Sequence, residues 1–210
     1  MIIAIEGMDG AGKTTICNHI ERAFNFINIE KPTKYLFENK NGIIDYKEFY
    51  ETLDKIYRSD EKTRSQFFGT GNLIAVTRYP NSNIVIDRHL ASNYYWNGNK
   101  SLNKYYSELI KLCGKPDITI YLHANPKTRY LRLKKRNSND LDLKDSTIFA
   151  DGSEKNIEFL KRFNFEYRVI DTNNKSIKEV CREVDRILKE IIMKKEKRKK
   201  SLLWKLITVK

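Results

Sequence analysis

A short branched run, Ile2–Glu6, stops abruptly in Gly7-Met8-Asp9-Gly10-Ala11-Gly12-Lys13-Thr14-Thr15. No other stretch of the chain leaves so few folds open. Five apolar-rich residues are too few for a helix and suit a buried strand. The glycines let backbone N–H groups turn inward onto an anion with no side chain in the way. A helix opening at Lys13 would aim its positive end at the same point. The phosphate-loop pattern G-x-x-x-x-G-K-[ST] is complete, so Lys13 is placed to reach terminal phosphates and the Thr14 hydroxyl to ligate Mg²⁺. Gly7, Gly10, Ala11, Gly12, Lys13, Thr14 and Thr15 are therefore the expected ATP-phosphate contacts. The alternative is a chance match in a glycine-rich turn. A strand before the loop and a helix after it argue against chance.

Elements alternate along the rest of the chain. Lys13 to about Ala23 reads as a helix with Ile16, Ile20 and Ala23 on one face, and Asn25–Glu30 as a second strand. Asp45–Arg58 has helical spacing, and so has Thr63–Arg78, where Gly69 and Gly71 weaken the middle. Asn83–Asp87 is a third strand, Leu102–Cys113 a helix and Ile118–Leu122 a fourth strand. Pro126 opens another helix. Glu154–Phe163 is helical, Glu166–Ile170 a fifth strand and Ser176–Met193 a closing helix. Strand and helix in alternation define an α/β fold with a parallel sheet covered on both faces. The expected architecture is the three-layer P-loop NTPase fold, with five parallel strands in the order 2-3-1-4-5 and a small lid. The expected division is a nucleotide-binding domain over 1–193, its lid at about 134–147, and a basic tail over 194–210.

The chain has 210 residues, which suits one domain. Three scattered cysteines, Cys17, Cys113 and Cys181, read as reduced thiols of a cytoplasmic protein, and no histidine joins them at metal-ligand spacing. No signal peptide is expected, because Met1 leads directly into a strand-like run, and no apolar run nears the ~20 residues that span a bilayer. Net charge is +13, and Lys194–Lys210 holds eight Lys or Arg against one Glu, a net +7. A mildly basic body suits a polyanionic small molecule, and no nucleic-acid reading module accompanies the charge.

Two further features bear on chemistry. The third strand ends in Asp87-Arg88. An acid at the carboxyl end of a buried parallel strand lies on the ligand edge of the sheet, where it can support Mg²⁺. Arg88 beside it can bind phosphate with two donors. The competing reading is a structural ion pair at a strand end. Downstream, Arg129, Arg132, Lys134, Lys135 and Arg136 precede the polar loop "NSNDLDLKD". These cations could form a solvated face. Arg132 and Arg136 share one side at four-residue spacing, and a closing lid would carry them to a transferring phosphoryl group.

"IAIEGMDGAGKTT", "IEKPT", "IDRHLASNYYWNG", "PDITIYL", "LRLKKR" and "RVIDTNNKSIKEV", in that order, resemble the thymidylate kinase family of nucleoside monophosphate kinases. The resemblance covers about Ile2 to Leu188. It implies that Asp9 contacts the acceptor sugar, that Lys34 lies near the acceptor phosphate and that Phe68 stacks on the base. It makes Arg88 the acceptor-phosphate arginine. Arg132 and Arg136 become lid arginines of the type whose loop lacks an arginine, consistent with Ala11. Thr172 and Asn173 begin a turn, running to Lys175, that would lie against adenine. A homodimer is implied as well. The chain also departs from the family. Asn72 stands where an arginine usually bonds thymine, His89 replaces a tyrosine, and Tyr95-Trp96-Asn97 ends the acceptor segment differently. By composition alone Phe67 and Phe68 fit a core equally well.

The resulting expectation is in-line transfer of the γ-phosphoryl group of ATP, with Mg²⁺, to a deoxynucleoside monophosphate, foremost dTMP giving dTDP. Lys13, Asp87, Arg88, Arg132 and Arg136 are the expected catalytic set. Asp9, Lys34, Phe68, Asn72, Arg88, Tyr95 and Trp96 are the expected acceptor contacts. A (deoxy)nucleoside kinase or another pyrimidine nucleotide kinase is the enzymatic alternative. A nucleotide-binding regulatory protein with a degenerate acceptor site is the alternative of another class. Within the tail, Leu203, Leu206, Ile207 and Lys210 share a helical side near Trp204. A packed or frayed final helix is favoured there over contact with an anionic membrane surface.

Overall fold

The protein is described by a computed structural model covering residues 1–138, 143 and 146–208. Of the expected lid at about 134–147, residues 139–142, 144 and 145 lie outside the described residues. The chain divides into two compact units, Met1–Asn173 and Asn174–Lys210.

The first unit holds a five-stranded, wholly parallel sheet. Its strands are β1 (Ile2–Glu6), β2 (Ile27–Glu30), β3 (Ile84–Asp87), β4 (Ile118–His123) and β5 (Tyr167–Asp171). The order is β2-β3-β1-β4-β5, as expected. β1 lies in the middle, with Ile5 beside Asp87 on β3 and Ile120 on β4. Burial follows from this position. Ile3, Ala4, Ile5 and Glu6 of β1 are all buried, as are Ile118 to Leu122 of β4, whereas the edge strands β2 and β5 keep exposed positions. An apolar run without alternation is what a strand covered on both faces requires.

Among the described residues of this unit, seven α-helices surround the sheet: α1 (Lys13–Phe24), α2 (Tyr46–Tyr57), α3 (Glu61–Thr77), α4 (Leu90–Asn97), α5 (Asn103–Cys113), α6 (Pro126–Arg136) and α7 (Ser153–Arg162). Local chemistry sets several of their starts. Asp45, Asp60 and Asn125 accept backbone N–H bonds as caps of α2, α3 and α6, and Pro126 occupies the first turn of α6. Helix α3 passes unbroken through Gly69 and Gly71, which are contact points where a side chain would not fit. A Cβ on Gly71 would come within 2.6 Å of Thr33 Cγ2. Helix α4 and a 3-10 turn over Pro32–Phe37 were not anticipated from the sequence, being short and without helical periodicity. Leu90, Tyr94, Tyr106, Leu109, Phe159 and Phe165 join α4, α5 and α7 in one aromatic-rich cluster.

The second unit is dominated by α8 (Ile177–Thr208), a single helix of 32 residues. It continues well past the expected end at Met193. The basic run 194–200 consists of good helix formers, so nothing local stops it. No helix among the described residues is long and apolar enough to cross a membrane.

Candidate active site

The site is built where β1 and β3 end. The connection leaving β1 runs toward β2, and the one leaving β3 crosses to β4, so the carboxyl edge between them is a switch point that opens a crevice. The phosphate loop fills the β1 side. Gly7, Gly10 and Gly12 have φ values of 140°, 80° and 100°, a region where other residues are strained. Gly10 has a second constraint, since a Cβ there would lie 2.8 Å from the Arg129 carbonyl oxygen. Gly12 then opens α1 without any side-chain cap, which leaves the first N–H groups of the helix for a ligand. Thr15 lies in that first turn. Ala11, within the loop, is buried.

Lys13 is 7% exposed and donates to the Met8 carbonyl at 3.0 Å. Its ammonium lies 3.9 Å from Asp9. Burial, with the Arg88 charge adding to it, brings the Lys13 pKa down to about 8. A bound polyphosphate would offset both effects. The Thr14 hydroxyl donates to Asp87 Oδ2 at 2.8 Å, so the two oxygen ligands expected for Mg²⁺ already touch.

From β3, Arg88 turns back over the loop. Its backbone is left-handed at φ 71°, uncommon for a residue with a side chain. The guanidinium donates to the Gly7 carbonyl at 3.1 Å, to Ser92 Oγ at 3.3 Å and to Asp9 Oδ1. Burial raises the Asp9 carboxyl, but Arg88 and Lys13 outweigh it and the net shift is downward. Burial likewise opposes the Arg88 charge, while Asp9, Asp87 and Glu6 more than restore it. Lys13, Thr14, Asp87, Arg88 and Asp9 thus form one contiguous cluster of alternating charge.

Two residues beside this cluster have roles that the sequence reading did not assign. Glu6, the last residue of β1, is wholly buried. Its Oε1 accepts the backbone N–H groups of His89, Ala91 and Ser92 at 3.0, 3.1 and 3.2 Å, and its Oε2 accepts the Ser92 hydroxyl. The one available signal was a charge at the end of an otherwise apolar strand. Arg129 is 1% exposed and donates to the carbonyls of Asp9, Ile148 and Ala150. It clips the phosphate loop to the chain that follows the expected lid. Five neighbouring cations looked alike in sequence. Only the register of α6, which buries Arg129 and Leu133, separates this one.

The remaining expected residues are spread around this cluster. Arg132 does not face the phosphate loop. It donates to Thr172 Oγ1 at 2.9 Å and to the Thr172 carbonyl at 2.7 Å, in the turn expected to meet adenine. Asn173 accepts the Asn125 N–H in the same turn at 3.0 Å. Arg136 ends α6 and is exposed. On the other side, Phe68 is half-buried with its ring 5.9 Å from Tyr57. Asn72 is 4% exposed. Its Nδ2 donates to the Phe68 carbonyl at 2.7 Å, and its Oδ1 is buried with no protein hydrogen-bond partner. Lys34 lies in the 3-10 turn that packs on α3, with its ammonium over the Tyr35 ring. Tyr95 and Trp96 stack edge to face at 4.7 Å in α4, and a Cβ on Gly152 would meet the Tyr95 ring. His89 is buried, and burial takes its pKa down to about 4.

A glycine-lined phosphate cradle, a buried lysine and a Thr–Asp oxygen pair at the switch point of a 2-3-1-4-5 parallel sheet define a P-loop nucleotide kinase. Comparison with known proteins narrows the class. The profile of the family described as Thymidylate kinase matches residues 5–184, and the chain belongs to that family. It is 28% identical over 206 residues to the thymidylate kinase of Legionella pneumophila (strain Paris), covering 91% of this chain and 95% of the relative. It is 30% identical over 200 residues to a probable thymidylate kinase of Sulfolobus acidocaldarius, covering 87% and 93% respectively. Among solved structures, a deoxyadenosine kinase from M. mycoides with dCMP and dCDP bound superposes with a TM-score of 0.63 at 23% identity. That alignment covers 90% of this chain and all of the other. The protein is an ATP-dependent nucleotide kinase.

Proposed function

We propose that the protein transfers the γ-phosphoryl group of ATP to a deoxynucleoside monophosphate, with dTMP as the foremost acceptor and dTDP as product. The observation that carries this reading is the contact of Arg88 with both Gly7 and Asp9. It sets a cation for an acceptor phosphate directly against the loop for the donor phosphates. The names of the relatives in Legionella and Sulfolobus support dTMP.

Each residue then has a task. Loop N–H groups and Lys13 hold the donor phosphates, and Arg88 holds the acceptor phosphate in line. Asp9 orients Arg88 and lies within reach of the acceptor sugar. The Thr14 hydroxyl and Asp87 carboxylate are hard oxygen donors that suit Mg²⁺, which is bound by one or two protein oxygens together with phosphates and water. Bound there, Mg²⁺ would neutralise charge on the phosphate oxygens. The Arg132–Thr172 pair supports the adenine side. Movement of α6 with the lid would be needed to bring Arg132 or Arg136 to the phosphates. The cytoplasm, which supplies ATP and Mg²⁺, is the compartment this reading assigns.

A second reading has an observation of its own. Asn72 Oδ1 is an acceptor with no protein partner, and a base that offers an N–H there would satisfy it. Thymine offers N3–H and cytosine and adenine offer amino groups, so this acceptor admits dCMP and dAMP beside dTMP, and the M. mycoides structure holds dCMP. The deciding experiment couples ADP release to a panel of dTMP, dCMP, dAMP, dGMP and the matching nucleosides with Mg-ATP. Turnover with dTMP above all others is the expected result. Preference for an unphosphorylated nucleoside, or the absence of any acceptor-dependent turnover, overturns the proposal.

A further inference from the structure

Glu6 is a wholly buried carboxyl group at the end of β1, next in sequence to the phosphate loop and bonded to the turn that follows Arg88. Sealing a carboxyl in a strand end is costly unless hydrogen bonds replace its water. Here four do, and all four come from α4 or the residue before it. Helix α4 has no side-chain cap of its own, because His89 at its start makes no such bond. Glu6 therefore caps α4 from the neighbouring strand, across 83 residues of sequence. The bond to Ser92 extends the linkage. Ser92 Oγ gives its proton to Glu6 Oε2 and accepts from Arg88 Nη1 at 3.3 Å. Arg88 is held at a left-handed φ of 71° between β3 and this anchored turn, and from there it reaches Gly7 and Asp9. A non-glycine residue stays in that conformation only where its surroundings enforce it.

We infer that Glu6 is a positioning residue for the acceptor side of the reaction: through the first turn of α4 and the Ser92 hydroxyl it fixes the direction of the Arg88 guanidinium against the phosphate loop. The inference rests on the kinase reading for its consequence, but the anchoring itself does not. Donor binding depends on loop N–H groups and Lys13; the Glu6 side chain hydrogen-bonds to His89, Ala91 and Ser92 instead and acts on Lys13 only through its charge, which Ser92→Ala leaves in place, so loss of the Ser92 link acts on one substrate only. A cap with a purely structural role would affect both substrates or neither.

The test uses the full chain carrying Glu6→Gln or Ser92→Ala, with amide exchange and steady-state kinetics. Glutamine keeps an acceptor for the three N–H groups but puts an NH₂ or a weaker acceptor toward Ser92. In Glu6→Gln the His89, Ala91 and Ser92 amides should exchange at least ~10-fold faster while those of β1 and β4 are unchanged. KM for the acceptor should rise about 10-fold with KM for ATP within about threefold, the split expected when only one ligand's contact is lost. Ser92→Ala should raise the acceptor KM in the same way and leave the Ala91 amide protected. The double variant should be no worse than Glu6→Gln alone, because both act along one linkage. Equal changes in both KM values, an unchanged acceptor KM in a folded variant, or unaltered exchange at α4 overturns the inference. If Glu6→Gln does not fold, Ser92→Ala still decides the KM split. A wild-type chain that turns over no acceptor defeats the kinase reading, while amide exchange continues to test the anchoring.

Discussion

The histidine after Arg88 shows how one side chain reads differently in sequence and in space. His89 lies in the acceptor segment and could have been a titrating group in the chemistry. Instead it is buried, its Nε2 finds no hydrogen-bond partner, and its pKa falls to about 4 from burial alone. The unfolded chain binds this proton at its ordinary pKa near 6.5, so between pH 6.5 and about 4 the unfolded state holds more protons than the native state. Stability is therefore lost as pH falls through that window, by on the order of 3 kcal/mol when the lower end is reached. Urea midpoints at pH 7 and pH 4.5 should fall apart in the wild type and draw closer in His89→Phe. An equal acid loss in both would exclude this histidine as the cause. Asn72 and Arg129 teach the same lesson. Their residue types were visible in the sequence, whereas their burial, which decides what they can bind, was not.

Helix α3 shows how an element can contradict its own propensities. Gly69 and Gly71 weaken a helix in isolation by about 1 kcal/mol each, yet the helix runs on through both. Tertiary contact is the reason. Gly71 lets the Pro32–Phe37 turn close on α3, and an added Cβ would sit 2.6 Å from Thr33 Cγ2 and 3.1 Å from the Thr33 backbone nitrogen. Thr33 is itself buried and has little room to yield. Gly71→Ala should gain helix propensity and still destabilise the protein, since overpacking costs about 1–3 kcal/mol. Thermal or urea unfolding would show a lower midpoint, and a higher one would mean that the turn can move aside. Elements with clear periodicity, such as α2 and α6, were legible to within a residue or two. Short α4, held at its start by Glu6 rather than by a local cap, was not.

At the scale of the whole molecule, the sheet places the site and an aromatic cluster holds α4 behind it. Phe159 of α7 is 1% exposed and its ring lies 5.0 Å from Tyr94 and 5.7 Å from Tyr106. Phe159→Ala should cost about 3–5 kcal/mol, the range for emptying an aromatic site in a close-packed core. Denaturant unfolding measures it, and a loss below about 1 kcal/mol would mean that α4, α5 and α7 do not share one core. Charge is also uneven at this scale, since Lys194–Lys210 supplies +7 of the net +13.

The sequence by itself determined the phosphate loop, the alternation of strand and helix, the parallel sheet and its strand order, and the family. The loop, the alternation and the parallel sheet are written in contiguous residues whose backbone freedom, branching or periodicity acts locally, while the strand order and the family came with the resemblance those segments carry. Only the tertiary structure decided that Glu6 caps α4, that Arg129 clips the loop while Arg132 turns to Thr172, and that Asn72 presents an unpartnered oxygen. Those outcomes depend on which groups lose water and what they meet when they do, and the partners come from as many as 120 residues away along the chain.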